Sequence, residues 1–380
     1  MIILILLSFF TIFYIWLVYV LIISSKMPKY DKNFRQPVSV IIPCYNEDPV
    51  YLKRCVESIL NCNGEKQVIL VNNNSNKPET IQALNELKSN KILIINETRQ
   101  GKRSAHSAGL KFAKHEIIVF VDSDTMLSKN TLIELTLPFQ DSSVGGVTGQ
   151  VRLANKTKNL ITRSLDSMFW TSSNIFRRSG AVIGFMQVMP GALSSYRKSD
   201  LLKLEPNYLS QKFMGKKCSI SDDRYLTIRV QTRLGKKIRF IENAIAYTYM
   251  PETIMGFWKT IERWKRGMLR EIILLWKEPI KNNKWLFFDT QFNFLMFNIV
   301  MITRISLIFN LIFNFSLNIL FMTILWLFIM NFFWGAYMVV NNPKEFKYKI
   351  VYSILNEFFW VFSYFQALIN IRKQSSWVTR

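Results

Sequence analysis

The feature that most constrains the fold of this chain is a regular alternation of short apolar strands and helices between residues 36 and 250. The predicted strands are Val38–Ile42, Gln67–Val71, Ile92–Ile95 and Ile117–Val121, and the predicted helices are Val50–Leu60, Thr80–Leu87 and Gly101–Ala113. Strands and helices that alternate in this way form a parallel sheet covered by helices. We therefore predict an α/β domain over residues 25–250, built on a mostly parallel sheet.

An apolar segment precedes this domain. Residues 1–24 carry no charged side chain, and such a segment is long enough to cross about 30 Å of hydrocarbon. Lys26, Lys29 and Lys32 follow directly, and the positive-inside rule places them in the cytosol. We predict an N-terminal transmembrane helix over residues 1–24. A cleaved signal peptide is the alternative, although no basic region precedes the apolar run.

A second apolar region follows the domain, over residues 285–371. Between Phe292 and Val340 the only charged side chain is that of Arg304, and the stretch has the length of two membrane spans. Residues 351–371 are also apolar, but basic residues flank them on both sides, which predicts a re-entrant or hairpin segment. These patterns predict a multi-pass protein of the plasma membrane with a cytosolic domain.

Residues 251–284 link the domain to this second region. From Ile254 to Trp276, apolar residues recur at helical spacing and lysines and arginines lie between them. A basic, Trp-containing amphipathic helix is typical of the membrane interface, and an ordinary buried helix is the alternative.

The net charge of +23 indicates an anionic partner. Nucleic acid, an anionic membrane face and an acidic substrate are the three candidates. We predict no nucleic-acid partner, because the chain has no recognition motif and carries membrane segments. The four cysteines fit neither a zinc pattern nor a disulfide framework, and two histidines exclude a histidine-rich metal site.

Polar side chains follow the predicted strands, where ligands of open parallel sheets bind. They are Tyr45, Glu47, Asn72 and Asp122. Asp122 and Asp124 form an Asp-x-Asp motif, whose hard oxygen ligands suit Mg²⁺ or Mn²⁺. A bare Asp-x-Asp is most often a solvated turn, but its position after an apolar strand favours a metal site.

Two further motifs carry charge. Lys102 and Arg103 follow Gly101, and they can contact a diphosphate or an acidic sugar or can begin a solvated helix. Asp222 and Asp223 precede another apparent helix. One of these carboxylates can act as a general base toward an attacking hydroxyl, or can cap the helix.

Together the motifs resemble those of processive family 2 glycosyltransferases, in the hyaluronan synthase and type 3 capsule polysaccharide synthase group. The resemblance covers about Val38 to Arg380. Its motifs are Pro43-Cys44-Tyr45-Asn46-Glu47-Asp48, Gly101-Lys102-Arg103, Val121-Asp122-Ser123-Asp124-Thr125, Pro190-Gly191 with Tyr196-Arg197, Ser221-Asp222-Asp223-Arg224-Tyr225-Leu226-Thr227, Arg263-Trp264, and the terminal Trp377-Val378-Thr379-Arg380.

The resemblance implies a GT-A fold, a UDP-sugar donor, a growing polysaccharide as acceptor, a Mg²⁺ or Mn²⁺ ion, inversion at the anomeric carbon, and export through the bilayer. It implies that Asp223 is the base, beside Asp222, and that Asp122 and Asp124 serve the metal and donor. The other implied donor-binding residues are Tyr45, Glu47, Asn72, Lys102, Arg103, Arg263, Trp377 and Arg380, and the implied acceptor-binding residues are Trp264, Gly191 and Arg224. Residues 372–380 would form a terminal gating loop.

Three features depart from that group. Thr260 stands where a Gln is usual, Asn72-Asn73 replaces a common Asp-Asp, and one N-terminal span is present rather than two. A single-addition enzyme acting on a lipid carrier, a chitin- or glucan-type homopolymer synthase and a non-catalytic membrane scaffold remain alternatives. The sequence also leaves open whether the chain forms a homo-oligomer.

Overall fold

The predicted strands lie in one eight-stranded sheet in the computed structural model of the protein, which describes residues 2–279 and 282–373. The strands of this sheet are β1 (Val38–Cys44), β2 (Lys66–Asn72), β3 (Ile92–Asn96), β4 (Ile117–Phe120), β5 (Thr125–Leu127), β6 (Val144–Leu153), β7 (Ser194–Arg197) and β10 (Lys237–Thr248), and a separate hairpin contains β8 (Lys212–Phe213) and β9 (Lys216–Lys217). The order across the sheet is β3-β2-β1-β4-β7-β6-β10-β5.

The first half of the sheet is parallel. β1 lies between β2 and β4 and pairs in parallel with both, and β2 pairs in parallel with β3. β7 runs antiparallel between β4 and β6, and the short β5 runs antiparallel to β10. Both faces of β1 are buried, with Val40 and Ile42 in one apolar core and Ile41 in the other, as expected for a parallel sheet covered on both sides. The predicted mostly parallel α/β sheet is confirmed.

Helices cover both faces of the sheet and continue beyond it. They are α1 (Ile2–Ser24), α2 (Pro49–Leu60), α3 (Pro78–Glu86), α4 (Lys102–Phe112), α5 (Thr131–Thr136), α6 (Leu160–Thr171), α7 (Arg178–Ile183), α8 (Lys198–Ser210), α9 (Asp222–Thr232), α10 (Ile254–Leu275), α11 (Lys284–Phe313), α12 (Leu317–Asn341) and α13 (Phe346–Ile369). Local chemistry sets their starts. At α2, for example, the Asp48 carboxylate accepts a hydrogen bond from the Val50 amide and Pro49 occupies the first turn.

A buried ion-pair network joins α9 to α10. The Arg229 guanidinium, 2% exposed, pairs with Glu271 of α10 and with Glu278, which follows that helix. Arg233 pairs with the same Glu278 carboxylate at 2.7 Å. Removing one partner of a buried pair leaves an uncompensated charge, so this network fixes α10 against the C-terminal end of α9.

The apolar C-terminal region forms three helices. α11 is long and apolar enough to cross a membrane, and it is the one helix in the described part of the chain that meets this criterion. α12 follows after a turn at residues 314–316, where two spans with a turn were predicted. A described apolar stretch in α1 is shorter, Tyr14–Ser24, so an N-terminal span stays a prediction.

The segment for which we predicted a re-entrant or hairpin structure is one continuous helix, α13, and its placement relative to the membrane stays a prediction. Phe359 of α13 contacts Phe257 and Trp258 of α10, with ring centroids 5.8 and 5.5 Å apart. α13 also packs against α6. The packing of α13 against α10 and α6 stabilises an unbroken helix. The flanking charges, on which the prediction was based, indicate only where the ends of the segment lie.

Candidate active site

The loops that follow β1 and β4 meet at the carboxyl edge of the parallel strands. Glu47 follows β1, and its side chain is buried, with one carboxylate oxygen accepting a hydrogen bond from the Ser123 hydroxyl at 2.7 Å. Ser123 lies between Asp122 and Asp124, which follow β4. Glu47 therefore orders the Asp-x-Asp segment through its central serine, and its contact with the donor stays a prediction.

Lys102 joins the two acidic motifs. Its ammonium lies 2.5 Å from an Asp122 carboxylate oxygen and 3.5 Å from an Asp222 carboxylate oxygen. Burial opposes a charge on Lys102, but the carboxylates of Asp122 and Asp222 outweigh burial and raise the pKa of its ammonium above the usual lysine range. Two motifs about a hundred residues apart in sequence thus form one site, with a lysine between them.

The start of α4 places this lysine. Gly101 has a φ of +115°, which lies in the left-handed region that favours glycine, and it directly precedes Lys102. The Gly101 amide donates to the Asn73 side-chain oxygen at 2.7 Å, and the Asn73 side-chain nitrogen donates to the Glu97 and Arg99 carbonyls. Asn73 is 1% exposed. Sequence reasoning did not assign it this role, because it noted Asn73 only as a departure from a family motif.

Gly191 closes one wall of the site. A methyl group at this position would lie 2.9 Å from the Lys102 ammonium and 3.5 Å from an Asp122 carboxylate oxygen. Any larger residue at position 191 would displace the Lys102 ammonium. The structure thus brings Gly191 against Lys102 and Asp122, and its contact with the acceptor stays a prediction.

Asp222 and Asp223 occupy the first turn of α9, after Ser221 in a left-handed conformation (φ +63°). Burial opposes the ionisation of Asp222, but Lys102 outweighs it and lowers the pKa of this carboxyl to about 2. Burial and the Asp222 charge raise the pKa of Asp223, with Lys102 opposing them. The Arg224 amide donates to one Asp223 oxygen at 2.7 Å. The pair therefore contains one firmly ionised carboxylate and one with a higher proton affinity, as expected of a proton acceptor.

The Asp-x-Asp segment fits a divalent cation held together with a phosphate ligand. Asp122 and Asp124 are both half-buried, and one Asp124 oxygen accepts from the Thr248 hydroxyl at 3.2 Å. Among the described residues, no group of three His, Cys, Asp or Glu side chains forms a complete protein cage for a metal. Mg²⁺ usually takes only one or two carboxylates plus substrate phosphates and water, so two aspartates on one loop fit this mode.

Arg263 and Trp264, for which we predicted donor and acceptor contacts, lie on α10. Ser221 packs against Gly267 of α10, where a methyl group would lie 2.8 Å from the serine hydroxyl. Arg263 and Trp264, one turn earlier in α10, are exposed, and the Trp264 ring meets the Phe169 ring edge-on at 6.0 Å. The close contact at Gly267 brings this face of α10 beside the start of α9, and direct substrate contact by Arg263 and Trp264 stays a prediction.

Asn72 and Tyr45 lie in the loops of the same edge. The Asn72 side chain donates to Asn96 at 2.9 Å and accepts from the Ser75 amide at 3.0 Å, which orders its own loop. Tyr45 is half-buried. Arg224 is also half-buried, and burial lowers the pKa of its guanidinium. Their contacts with donor or acceptor stay predictions.

Arg103 does not face this site. Its guanidinium is 5% exposed and donates to the Tyr208 carbonyl at 2.9 Å and the Ile220 carbonyl at 3.4 Å. We predicted a donor contact for both Lys102 and Arg103. The structure places Lys102 between Asp122 and Asp222 and Arg103 in the protein interior, and the contact of Lys102 with the donor stays a prediction.

Trp377 and Arg380 lie outside the described residues. The end of the described chain is nevertheless held in a defined place, because the buried Arg270 guanidinium donates to the Ile371 carbonyl at 2.7 Å. Arg270 lies one turn beyond Gly267 on α10. Ile371 therefore lies near the helix that contacts the Asp222–Asp223 turn.

This sheet, with an Asp-x-Asp segment at the carboxyl edge of its parallel strands, has a GT-A-like fold. Residues 39–204 match the family described as "Glycosyl transferase family 2". A solved structure with the same fold is that of the mannosyltransferase PcManGT from Pyrobaculum calidifontis in complex with GDP-Man and Mn²⁺. The two chains are 16% identical, with a TM-score of 0.63 over 90% of this chain and 94% of the other.

Sequence relatives include two groups of enzymes. N-acetylglucosaminyltransferases of Bradyrhizobium diazoefficiens and Neorhizobium galegae are each 30% identical to this chain, over 63% and 66% of its length. The matches cover only 50% and 59% of those two proteins. The hyaluronan synthase of Streptococcus pyogenes is 28% identical over 90% of this chain and 83% of its own length.

Proposed function

We propose that this protein is a membrane-embedded, processive, inverting glycosyltransferase that polymerises sugar from UDP-sugar donors and exports the polysaccharide. The observation that carries the proposal is the position of Lys102 between Asp122 and Asp222, which belong to the two motifs to which we assign the donor and the base. The match to a hyaluronan synthase supports it, because that match extends over 90% of this chain and so includes the C-terminal helices.

The side chains of this site have separate roles in the proposed sugar transfer. Asp122 and Asp124 would hold a Mg²⁺ or Mn²⁺ ion, which when bound neutralises the charge of the leaving diphosphate. Lys102 adds a fixed positive charge beside them and supports the same diphosphate. Asp223 accepts the proton of the acceptor hydroxyl that attacks the anomeric carbon. The ionised Asp222 favours this transfer, because its negative charge raises the proton affinity of Asp223.

The pH dependence of kcat/KM should reflect the separate roles of Asp223, Asp222 and Lys102. Since only unprotonated Asp223 accepts a proton, we expect kcat/KM to fall as the pH drops through its raised pKa. Asp222→Asn removes a negative charge and should move this acidic limb to lower pH. Lys102→Met removes a positive charge and should move the limb to higher pH. Profiles of UDP release against pH for the three proteins test both signs, and limbs that coincide would contradict the assignment of Asp223.

The terminal segment should be required for synthesis although it ends the chain. We propose that Trp377 shields the site from water and that Arg380 pairs with the diphosphate. We expect a truncation after Ser376 to stay folded and membrane-inserted but to lose most polymer synthesis. Size-exclusion profile and product assay on the same sample test this, and wild-type synthesis by the truncated protein would exclude a gating role.

Product length separates the processive reading from single addition to a lipid carrier. Purified protein in lipid nanodiscs should be incubated with Mn²⁺ and with single and paired UDP-sugars, and the products sized. The proposal expects high-mass polymer at low donor conversion. Products one sugar longer than the acceptor would support the single-addition alternative. The N-acetylglucosaminyltransferase relatives favour a chitin-type homopolymer as the second candidate, and polymer from UDP-N-acetylglucosamine alone would support it.

A further inference from the structure

Arg103 forms a buried support behind the carboxylates. Its guanidinium lies over the rings of Tyr208 and Tyr225, at 4.9 and 5.0 Å from their centroids. Both tyrosines are buried, at 4% and 1% exposure. The Tyr208 hydroxyl is hydrogen-bonded to a ring nitrogen of His106 at 2.9 Å, and the His106 ring stacks on Phe120 at the end of β4. The support therefore extends from the α8 helix to the strand that precedes Asp122.

The same guanidinium holds the segment that leads into the acidic pair. One of its nitrogens donates to the Ile220 carbonyl at 3.4 Å, and the other donates to the Tyr208 carbonyl at 2.9 Å. Ile220 directly precedes Ser221, whose left-handed conformation turns the chain into α9. A non-glycine residue in this conformation is strained, so neighbouring contacts must hold it in place. Arg103 holds it on one side and Gly267 of α10 packs on the other.

The chemistry of this contact is unusual for an arginine. Among the described residues no carboxylate forms an ion pair with Arg103, although its side chain is buried, and its Nε has no hydrogen-bond partner. A buried charge without a carboxylate partner is costly. Its partners are instead two carbonyls and two aromatic faces, which fix the guanidinium plane in a way that a lysine ammonium cannot reproduce.

We propose that Arg103 is a positioning residue, whose guanidinium sets the turn from Ile220 to Asp223 so that both carboxylates face Lys102 and the acceptor. The expected effect on kcat rests on the proposed function. The two residues of the Lys102-Arg103 dipeptide then have different roles. Lys102 faces the substrate, and Arg103 aligns the base.

The test compares Arg103→Lys with Arg99→Lys. The control makes the same chemical change four residues earlier, at a side chain that is 55% exposed. We expect Arg103→Lys to lower kcat about 10- to 100-fold through misplacement of the base. The donor KM and the affinity for UDP with Mn²⁺ should stay within about twofold of wild type, since Lys102, Asp122 and Asp124 are retained. Arg99→Lys should match wild type.

A second readout does not depend on turnover. Amide hydrogen exchange over residues 219–224 should be faster in Arg103→Lys, while exchange in β1 and β4 stays slow. Unchanged exchange at this turn would overturn the inference, and so would exchange raised throughout the domain. A normal kcat with a raised donor KM would also overturn it and restore the donor contact that the sequence predicts. If the wild-type protein releases no UDP from any UDP-sugar, the proposed function fails, and the exchange comparison alone decides the role of Arg103.

Discussion

Asp223→Asn should lower the rate of sugar transfer by about 10²–10⁴-fold, the contribution that a general base makes, while UDP-sugar affinity stays close to wild type. The amide keeps the size of the side chain and can still accept the hydrogen bond that the Arg224 amide donates at 2.7 Å. It cannot take a proton from the acceptor hydroxyl. Asp223 is set apart from Asp222 because Lys102 lies 3.5 Å from Asp222, which keeps that carboxylate ionised.

Steady-state UDP release and calorimetric titration with UDP measure the two quantities. Asp31→Asn makes the same substitution at an exposed position and serves as the control. Transfer that survives at more than about a tenth of the wild-type rate is too fast for a missing base. That result would contradict the assignment, and Asp222 would then be the next candidate.

Asp122→Ala and Asp124→Ala should each weaken metal-dependent UDP binding by at least about tenfold, because removing a metal ligand costs no less than removing a residue that only orients one. Asp122→Ala has a second effect, since it also removes the carboxylate 2.5 Å from the Lys102 ammonium. We therefore expect Asp122→Ala to shift the pH profile as well, and Asp124→Ala to leave it in place.

Titration of UDP in Mn²⁺ and again in EDTA tests this pair. In EDTA, Asp124→Ala and wild type should bind UDP alike, since the metal contribution is absent from both. UDP affinity that is unchanged in Mn²⁺ for both variants would contradict a metal site at the Asp-x-Asp segment.

The strands were predictable from sequence because both faces of β1 and its neighbours are buried, so each strand is a nearly continuous apolar run. Asp122 was predictable for the same reason, since it directly follows such a run. Its partner Asp222 was recognised only as a motif, because the ion pairs through Lys102 depend on tertiary packing.

The neighbouring roles of Lys102 and Arg103 were not predictable. Successive residues on a helix point in directions about 100° apart, so only one of two adjacent cations can face a given group. The sequence does not show which one. The same limit applies to Asn73, whose importance comes from its contacts with Gly101 and the Glu97 carbonyl.

The central claim is that the cleft around Lys102 transfers sugar from a UDP-sugar with a divalent cation, and UDP release tests it most directly. Purified wild-type protein in lipid nanodiscs should be supplied with UDP-N-acetylglucosamine, alone and together with UDP-glucuronic acid, in Mn²⁺ and in EDTA. We predict UDP release in Mn²⁺ that stops in EDTA and falls by about 10²-fold or more in Asp223→Asn. Release at equal rates in Mn²⁺ and EDTA, or in wild type and Asp223→Asn, would contradict the claim.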